Sequence, residues 1–245
     1  MRKDLTEIVV VLDRSGSMES CRADMVGGLN VFVQEQQRAD GFANFTLVEF
    51  DTEYNFVHTG VDIRKVGKLD MVPRGGTALL DAVGRAINET GARLDKLSDA
   101  EKPGLVIFMI ITDGEENSSK EFTNAQINKM IIHQQEKYKW EFSFLGADQD
   151  SFSVARTLGI NSKGVSNYNK ANPMNVFRNA SIMASSARNS SIVGEAVNYS
   201  YTQDMREDNM KGKENKDDTS DLIAKFGQNG QKILDYVDLV NVITP

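Results

Sequence analysis

Two apolar runs constrain the fold of this 245-residue chain more than any other feature of its sequence. Residues 8–12 read Ile-Val-Val-Val-Leu, and residues 105–111 read Leu-Val-Ile-Phe-Met-Ile-Ile. Short runs that are apolar throughout and rich in β-branched residues are typical of strands buried on both faces of a parallel sheet. We therefore expect an α/β fold in which helices cover both faces of the sheet.

Apolar segments with strand character alternate with segments of helical periodicity over about the first 190 residues, which is typical of βα units. We predict strands at 7–12, 44–50, 54–58, 105–111, 140–145 and 164–166, and helices at about 18–37, 78–97, 123–138, 151–158 and 173–188. The short turn at 51–53 predicts antiparallel pairing of the second and third strands. The expected architecture is a doubly wound, mainly parallel six-stranded sheet with one antiparallel edge strand. Gly27 and Gly28 in the first helix suggest a close approach of that helix to the sheet.

Oxygen-bearing side chains follow the two apolar runs. Asp13, Ser15 and Ser17 form an Asp-x-Ser-x-Ser motif after the first run, and Asp113 ends the second, while Thr77 follows a Gly-Gly pair between them. Carboxylates and hydroxyls are hard ligands that suit magnesium, manganese or calcium rather than zinc. Since ligands of open α/β sheets bind beyond the carboxyl ends of the strands, we expect these side chains to converge there.

In this order and spacing, the five residues resemble the metal-ion-dependent adhesion site of von Willebrand factor A (vWA) domains. Segments 6–18, 76–82 and 140–147 look like the small stand-alone vWA proteins of bacteria and their phages. The resemblance covers about residues 5–188. It implies a vWA fold and a site for Mg²⁺ or Mn²⁺, in which Asp113 reaches the ion through water.

The same resemblance implies what the site is for. In vWA domains the metal typically coordinates a Glu or Asp of a partner protein, so the chain is expected to be a protein-binding module. Stand-alone vWA proteins sometimes work beside AAA+ ATPases of the MoxR type, which makes that class a candidate partner.

Two alternative readings of the motif remain. The Asp-x-Ser-x-Ser segment alone is also compatible with a loop held by Asx-turn hydrogen bonds. A metal-dependent hydrolase or phosphatase could use the same site. However, haloacid-dehalogenase-type phosphatases need an aspartate where Ser15 stands, and the sequence has no Gly-x-x-x-x-Gly-Lys-Ser/Thr loop for ATP phosphates. We therefore expect no enzymatic activity.

Other polar residues near the motifs have simpler interpretations. Asp81 is expected to be a solvated or capping carboxylate, and residues 115–117 and Asp148 are expected to lie on solvated loops at the rim. Cys21 lies on the apolar face of the first predicted helix and is expected to pack in the core.

Composition limits the classes of binding partner and the cellular compartment that we expect. The net charge of −7 argues against non-specific nucleic-acid binding, which depends on a basic surface. The sequence has no dense basic cluster of the kind that binds anionic membranes, and no apolar stretch has the length of a transmembrane helix. A single cysteine excludes an internal disulfide. We expect a cytoplasmic protein.

The domain organisation follows from a change in composition. We expect a vWA domain over residues 1–190, a polar flexible linker over 191–221 and an apolar docking segment over 222–245. Residues 202–221 are mostly Asp, Glu, Lys, Asn and Gly, which cannot supply a core. Residues 233–240 include six apolar side chains in eight and need a partner surface.

Overall fold

A computed structural model describes residues 1–147 and 150–212 of the chain. The described strands are β1 (Arg2–Asp13), β2 (Phe42–Phe50), β3 (Tyr54–Asp62), β4 (Pro103–Thr112), β5 (Glu141–Gly146) and β6 (Val165–Asn167). The described α-helices are α1 (Arg22–Arg38), α2 (Leu79–Asp95), α3 (Asn124–Tyr138), α4 (Ser151–Thr157), α5 (Met174–Val193) and α6 (Gln203–Asn209).

The strands form one sheet in the order β3-β2-β1-β4-β5-β6. Neighbouring strands pair in parallel except β2 and β3, which pair antiparallel at the edge. This confirms the predicted doubly wound sheet with one antiparallel edge strand. Because β1 and β4 are adjacent, with Leu12 opposite Ile111, the loops after these two strands leave the sheet side by side.

Helices cover both faces of the sheet, so that each face has its own apolar core. On one face, Ile8, Val10 and Leu12 of β1 belong to a core that also includes residues of α1 and α5. On the other face, Val9 and Val11 belong to a core that includes residues of α2 and α3. The apolar runs are therefore buried from both sides, as their composition predicted.

The start of the first helix differs from the prediction. Residues Gly16–Cys21 form a 3₁₀-helix, and α1 begins only at Arg22. Met18 and Cys21 are still buried in the core, and burial raises the pKa of the Cys21 thiol to about 11, as expected for a packing residue. The helix's Gly28 makes a close approach to α5 rather than to the sheet. A methyl group there would lie 2.3 Å from the ring of Phe177.

The chain beyond α5 packs against the domain, which corrects the interpretation of residues 191–221 as a flexible linker over its described part. Tyr199 and Tyr201 are buried in the core on the α1–α5 side, with Met205 packed against it. Helix α6 contacts α5 and β6, and Arg178 pairs with Asp208 across the α5–α6 contact. The rest of that linker and the predicted docking segment at 222–245 lie outside the described residues.

Candidate metal centre

The sheet topology brings the two carboxylates of the motif together. Asp13 is the last residue of β1, and Asp113 directly follows the last residue of β4. Both residues are buried, with 0% of residue Asp13 and 4% of residue Asp113 exposed. Because their strands are adjacent and parallel, the two carboxylates meet at the carboxyl edge of the sheet, as the sequence predicted.

A chain of short hydrogen bonds runs from one carboxylate to the other. Asp13 Oδ1 accepts the Ser15 amide at 2.6 Å, and Asp13 Oδ2 accepts the Thr112 hydroxyl at 2.6 Å. The hydroxyls of Ser15 and Ser17 are 3.1 Å apart, and Ser17 Oγ donates to Asp113 Oδ1 at 2.7 Å. Four of the five predicted ligands are thus connected in one polar cluster.

Thr77 joins this cluster from the loop before α2. A methyl group placed on Gly114 would lie 3.5 Å from Thr77 Oγ1 and 3.8 Å from Ser17 Oγ, so both hydroxyls face the turn after Asp113. Thr77 is 3% exposed, whereas Ser17 is exposed. All five predicted residues therefore meet at one place, which opens to solvent over Ser17.

The loop that carries Thr77 is held by polar side chains after β4. Asn117 Oδ1 accepts the Thr77 amide at 2.9 Å, and Glu116 accepts the Leu80 amide at 3.0 Å near the start of α2. A side chain at Gly76 would lie 2.8 Å from Asn117 Oδ1, so glycine permits this approach. Glu116 and Asn117 are therefore structural, not merely solvated rim residues.

Asp81 holds the loop between β4 and α3. It is buried, and its carboxylate accepts the amides of Lys120, Glu121 and Phe122 at 2.7–2.9 Å. These amides belong to the loop before α3 and not to the first turn of a helix, so Asp81 is neither a solvated carboxylate nor a helix cap. Glu115 is exposed, as predicted, and Asp148 lies outside the described residues.

The donor set fits a hard divalent cation. It consists of two carboxylates and three hydroxyls, and the described residues include no group of three or more His, Cys, Asp or Glu side chains placed to hold a metal. Such a set is built on hydroxyls, which Mg²⁺ and Mn²⁺ accept and zinc disfavours. Burial raises the pKa of Asp13, and the nearby charge of Asp113 adds to that rise. A cation in the cluster would offset both effects.

One cationic side chain reaches the cluster, and sequence reasoning missed it. Lys170 Nζ lies 2.8 Å from Asp113 Oδ2, a buried oxygen that accepts no hydrogen bond of ordinary geometry from the described residues. Lys170 stands in the loop between β6 and α5. The signal available in the sequence was its position, because the loop after β6 leaves the same edge of the sheet as the loops after β1 and β4.

A second missed residue links two of the ligand loops. Asp51, in the turn after β2, is fully buried, and its Oδ2 lies 2.9 Å from Arg14 Nε and 2.8 Å from Arg74 Nε. Although burial acts to raise it, hydrogen bonds from Arg74 and the Glu53 amide hold the pKa of Asp51 below its usual value. Arg14 belongs to the Asp-x-Ser-x-Ser loop and Arg74 to the loop before α2, so Asp51 ties these two loops together.

Comparisons with known proteins identify the fold. No protein-family model and no curated protein sequence match this chain. The vWF domain of the type V pili tip protein Mfa5 from Porphyromonas gingivalis matches it structurally with a TM-score of 0.51 and 14% identity, over 81% of this chain and 98% of that one. The chain has a vWA fold. Its order of strands, with β1 and β4 at the centre, is the architecture that the resemblance implied.

Two further solved structures are similar to this chain. A variant of the PilB minor pilin from Streptococcus sanguinis matches with a TM-score of 0.55 and 9% identity, over 78% of this chain and 63% of that one. Proximal thread matrix protein 1 from the mussel byssus matches with a TM-score of 0.51 and 16% identity, over 74% and 46%. This chain therefore spans less than two thirds of either protein. At such identities the likeness concerns the fold alone.

Within residues 1–147 and 150–212, no helix has both the length and the apolar character that a membrane span requires.

Proposed function

We propose that this chain is a divalent-metal-dependent protein-binding module rather than an enzyme. The observation that carries the proposal is the convergence of three hydroxyls and two carboxylates at the carboxyl ends of β1 and β4, with the exposed Ser17 at the opening. The order of these residues along the chain matches the adhesion-site pattern of vWA domains.

The residues divide into two roles. The hydroxyls of Ser15, Ser17 and Thr77 would hold Mg²⁺ or Mn²⁺ directly, while Asp13 and Asp113 would supply negative charge directly or through water. When bound, the metal supplies a Lewis-acidic position for one more oxygen ligand. Because three of the five side chains are neutral, the chain's own residues leave a divalent ion open to a further anion.

The partner that fits this chemistry is a protein that presents a Glu or Asp side chain. Its carboxylate would enter over Ser17, where the cluster opens to solvent. A MoxR-type AAA+ ATPase is the candidate partner to test first.

The first test is metal binding by a matched pair of variants. Ser17→Ala removes a hydroxyl of the cluster. Ser20→Ala removes an exposed hydroxyl from the same 3₁₀-helix, where it donates to the Ser17 carbonyl at 3.3 Å. In calorimetric titrations with MgCl₂ or MnCl₂, we expect the Kd of Ser17→Ala to rise at least about tenfold, because one of about six ligands of the ion is lost. Ser20→Ala should match wild type. Equal Kd values for both variants would refute the assignment.

The second test concerns the partner. Binding to the purified candidate should require Mg²⁺, should disappear in EDTA and should be lost in Ser17→Ala but not in Ser20→Ala. Binding that survives EDTA and Ser17→Ala would show that the contact does not pass through the metal.

A further inference from the structure

Lys170 gives the metal centre a cation of its own. Its ammonium lies 2.8 Å from Asp113 Oδ2, and 21% of the lysine side chain and none of the aspartate side chain is exposed. Most surface lysines remain in water on flexible stems, whereas this one points into a mostly buried cluster. Its position is therefore a built feature of the site.

The backbone that carries Lys170 is anchored on both sides of it. The Asn169 amide donates to the Asn209 carbonyl at 2.9 Å, and the Asn169 side chain donates to the Met210 carbonyl at 3.1 Å. The Asn172 side chain donates to the Gly212 carbonyl at 3.4 Å. The end of α6 and the residues after it thus hold the lysine loop against the domain. The loop that presents the ammonium is thus tied down on both sides of the lysine.

The charges around Asp113 set up a competition. Asp13 and Asp113 together carry two negative charges, and Lys170 offsets one of them. A divalent ion held by the same cluster would lie close to this ammonium, and like charges repel strongly at such distances in a site with little water. The ion and the lysine therefore compete for Asp113.

We propose that Lys170 is an internal counter-cation that competes with the metal for Asp113 and thereby sets the metal affinity of the centre. This inference rests on the proposed function, since it concerns the same site. It assigns the lysine two effects of opposite sign. Lys170 stabilises the metal-free cluster by neutralising Asp113, and it weakens metal binding because its charge must be displaced or tolerated.

The test is a metal titration of the full chain with Lys170→Met, using MgCl₂ and MnCl₂ alone as probes. We expect the Kd to fall about tenfold relative to wild type, because the repulsion of one nearby unit charge is removed. Lys170→Arg, which keeps the charge, should stay close to wild type. Lys163→Met is the matched control, since it removes a lysine that pairs with Glu141 at 3.0 Å, and its Kd should not change.

Thermal unfolding supplies a readout that a purely structural lysine would not reproduce. Lys170→Met should melt below wild type in EDTA but gain more stability from metal than wild type does. A structural lysine would lower both melting temperatures equally. If Lys170→Met does not fold, Lys170→Gln replaces it in both measurements.

The outcomes separate this inference from the proposed function. If wild type binds metal and Lys170→Met binds it equally or more weakly, the counter-cation role is refuted and the metal centre stands. If neither protein binds metal, the proposed function fails and the inference fails with it. Tighter binding by Lys170→Met than by Lys163→Met supports the inference.

Discussion

Strand β1 carries two buried carboxylates with different partners, Glu7 near its middle and Asp13 at its carboxyl end. Glu7 and Asp13 lie on the same face of the strand, about 20 Å apart at roughly 3.3 Å per residue, and both are 0% exposed. Burial raises the pKa of each. Glu7 meets a guanidinium, since Arg93 Nη2 of α2 lies 2.6 Å from its Oε1. Asp13 instead accepts hydrogen bonds from an amide and a hydroxyl.

The difference teaches how to separate a structural carboxylate from a binding one. Glu7 has a permanent cation fixed on a helix, so its charge is compensated within the fold. Asp13 is compensated by neutral donors, and the cation beside its neighbour Asp113 comes from a lysine on a loop. A buried carboxylate at the carboxyl edge of a sheet, whose own hydrogen-bond partners are neutral donors, is therefore suited to bind a metal ion.

The largest expected effect is the loss of the partner of Glu7. Arg93→Met leaves the Glu7 carboxylate buried without its guanidinium, and removal of one partner from a buried pair typically costs about 3–5 kcal/mol. Urea denaturation should show this loss of unfolding free energy, with and without Mg²⁺. The double variant Glu7→Gln/Arg93→Met should recover much of the stability. Equal losses in the single and double variants would place the cost in packing and not in charge.

Substitution of Asp13 should affect metal binding and not the metal-free stability. Asp13→Asn keeps the shape of the side chain, and the Thr112 hydroxyl can reverse its hydrogen bond, so we expect the metal-free stability to change by less than about 1 kcal/mol. The metal response should disappear. In wild type, free metal at 100 times the Kd should add about 2.7 kcal/mol of stability. A metal response of that size in Asp13→Asn would remove the functional difference between Asp13 and Glu7.

A smaller effect on stability is expected at Asp51, which is paired with arginines as Glu7 is and lies beside the ligand loops as Asp13 does. Asp51→Asn removes the ion pair with Arg14 and weakens the charged hydrogen bond from Arg74, which should cost about 2 kcal/mol at neutral pH. It should also raise the metal Kd several-fold, because two ligand loops lose their link. Glu53→Gln is the matched control, since Glu53 pairs with Arg74 at 3.2 Å but is 76% exposed, and it should have little effect.

The sign of the pH dependence provides a check on Asp51. Its pKa in the fold lies below the usual value of 3.8. The stability that it contributes is therefore present above about pH 4 and is lost as the pH falls through the lower folded value. The difference in unfolding free energy between wild type and Asp51→Asn should shrink in that acidic range. A difference that is constant with pH would mean that the charge of Asp51 is not what links the loops.

Much of this arrangement could be predicted from local sequence. The runs at 8–12 and 105–111 are apolar at every position, which only a sheet covered on both faces can bury, and the motif residues follow them directly. The strand ends fix where Asp13 and Asp113 lie, so the cluster followed once the two strands were placed side by side. The solved relatives confirm the fold.

The remaining features depend on contacts between distant segments. Lys170 is 57 residues beyond Asp113 in the sequence, and the sequence around it indicates only a polar loop. The sequence indicates only that Asp51 is part of a turn. Its role as a link could not be predicted, because its arginine partners come from two other loops. Tyr199 and Tyr201 lie beside a strongly polar segment, whose average composition concealed that two tyrosines and Met205 could complete the core.

The central claim is that Asp13, Ser15, Ser17, Thr77 and Asp113 form one metal centre. The most direct measurement is a crystal structure of the full chain with Mn²⁺, using anomalous scattering to locate the ion. We predict an anomalous peak at the carboxyl ends of β1 and β4, within coordination distance of the three hydroxyl oxygens, that is weakened in Ser17→Ala. A Mn²⁺ ion bound elsewhere in the chain, or clear density for the five side chains with no ion at millimolar Mn²⁺, would contradict the account.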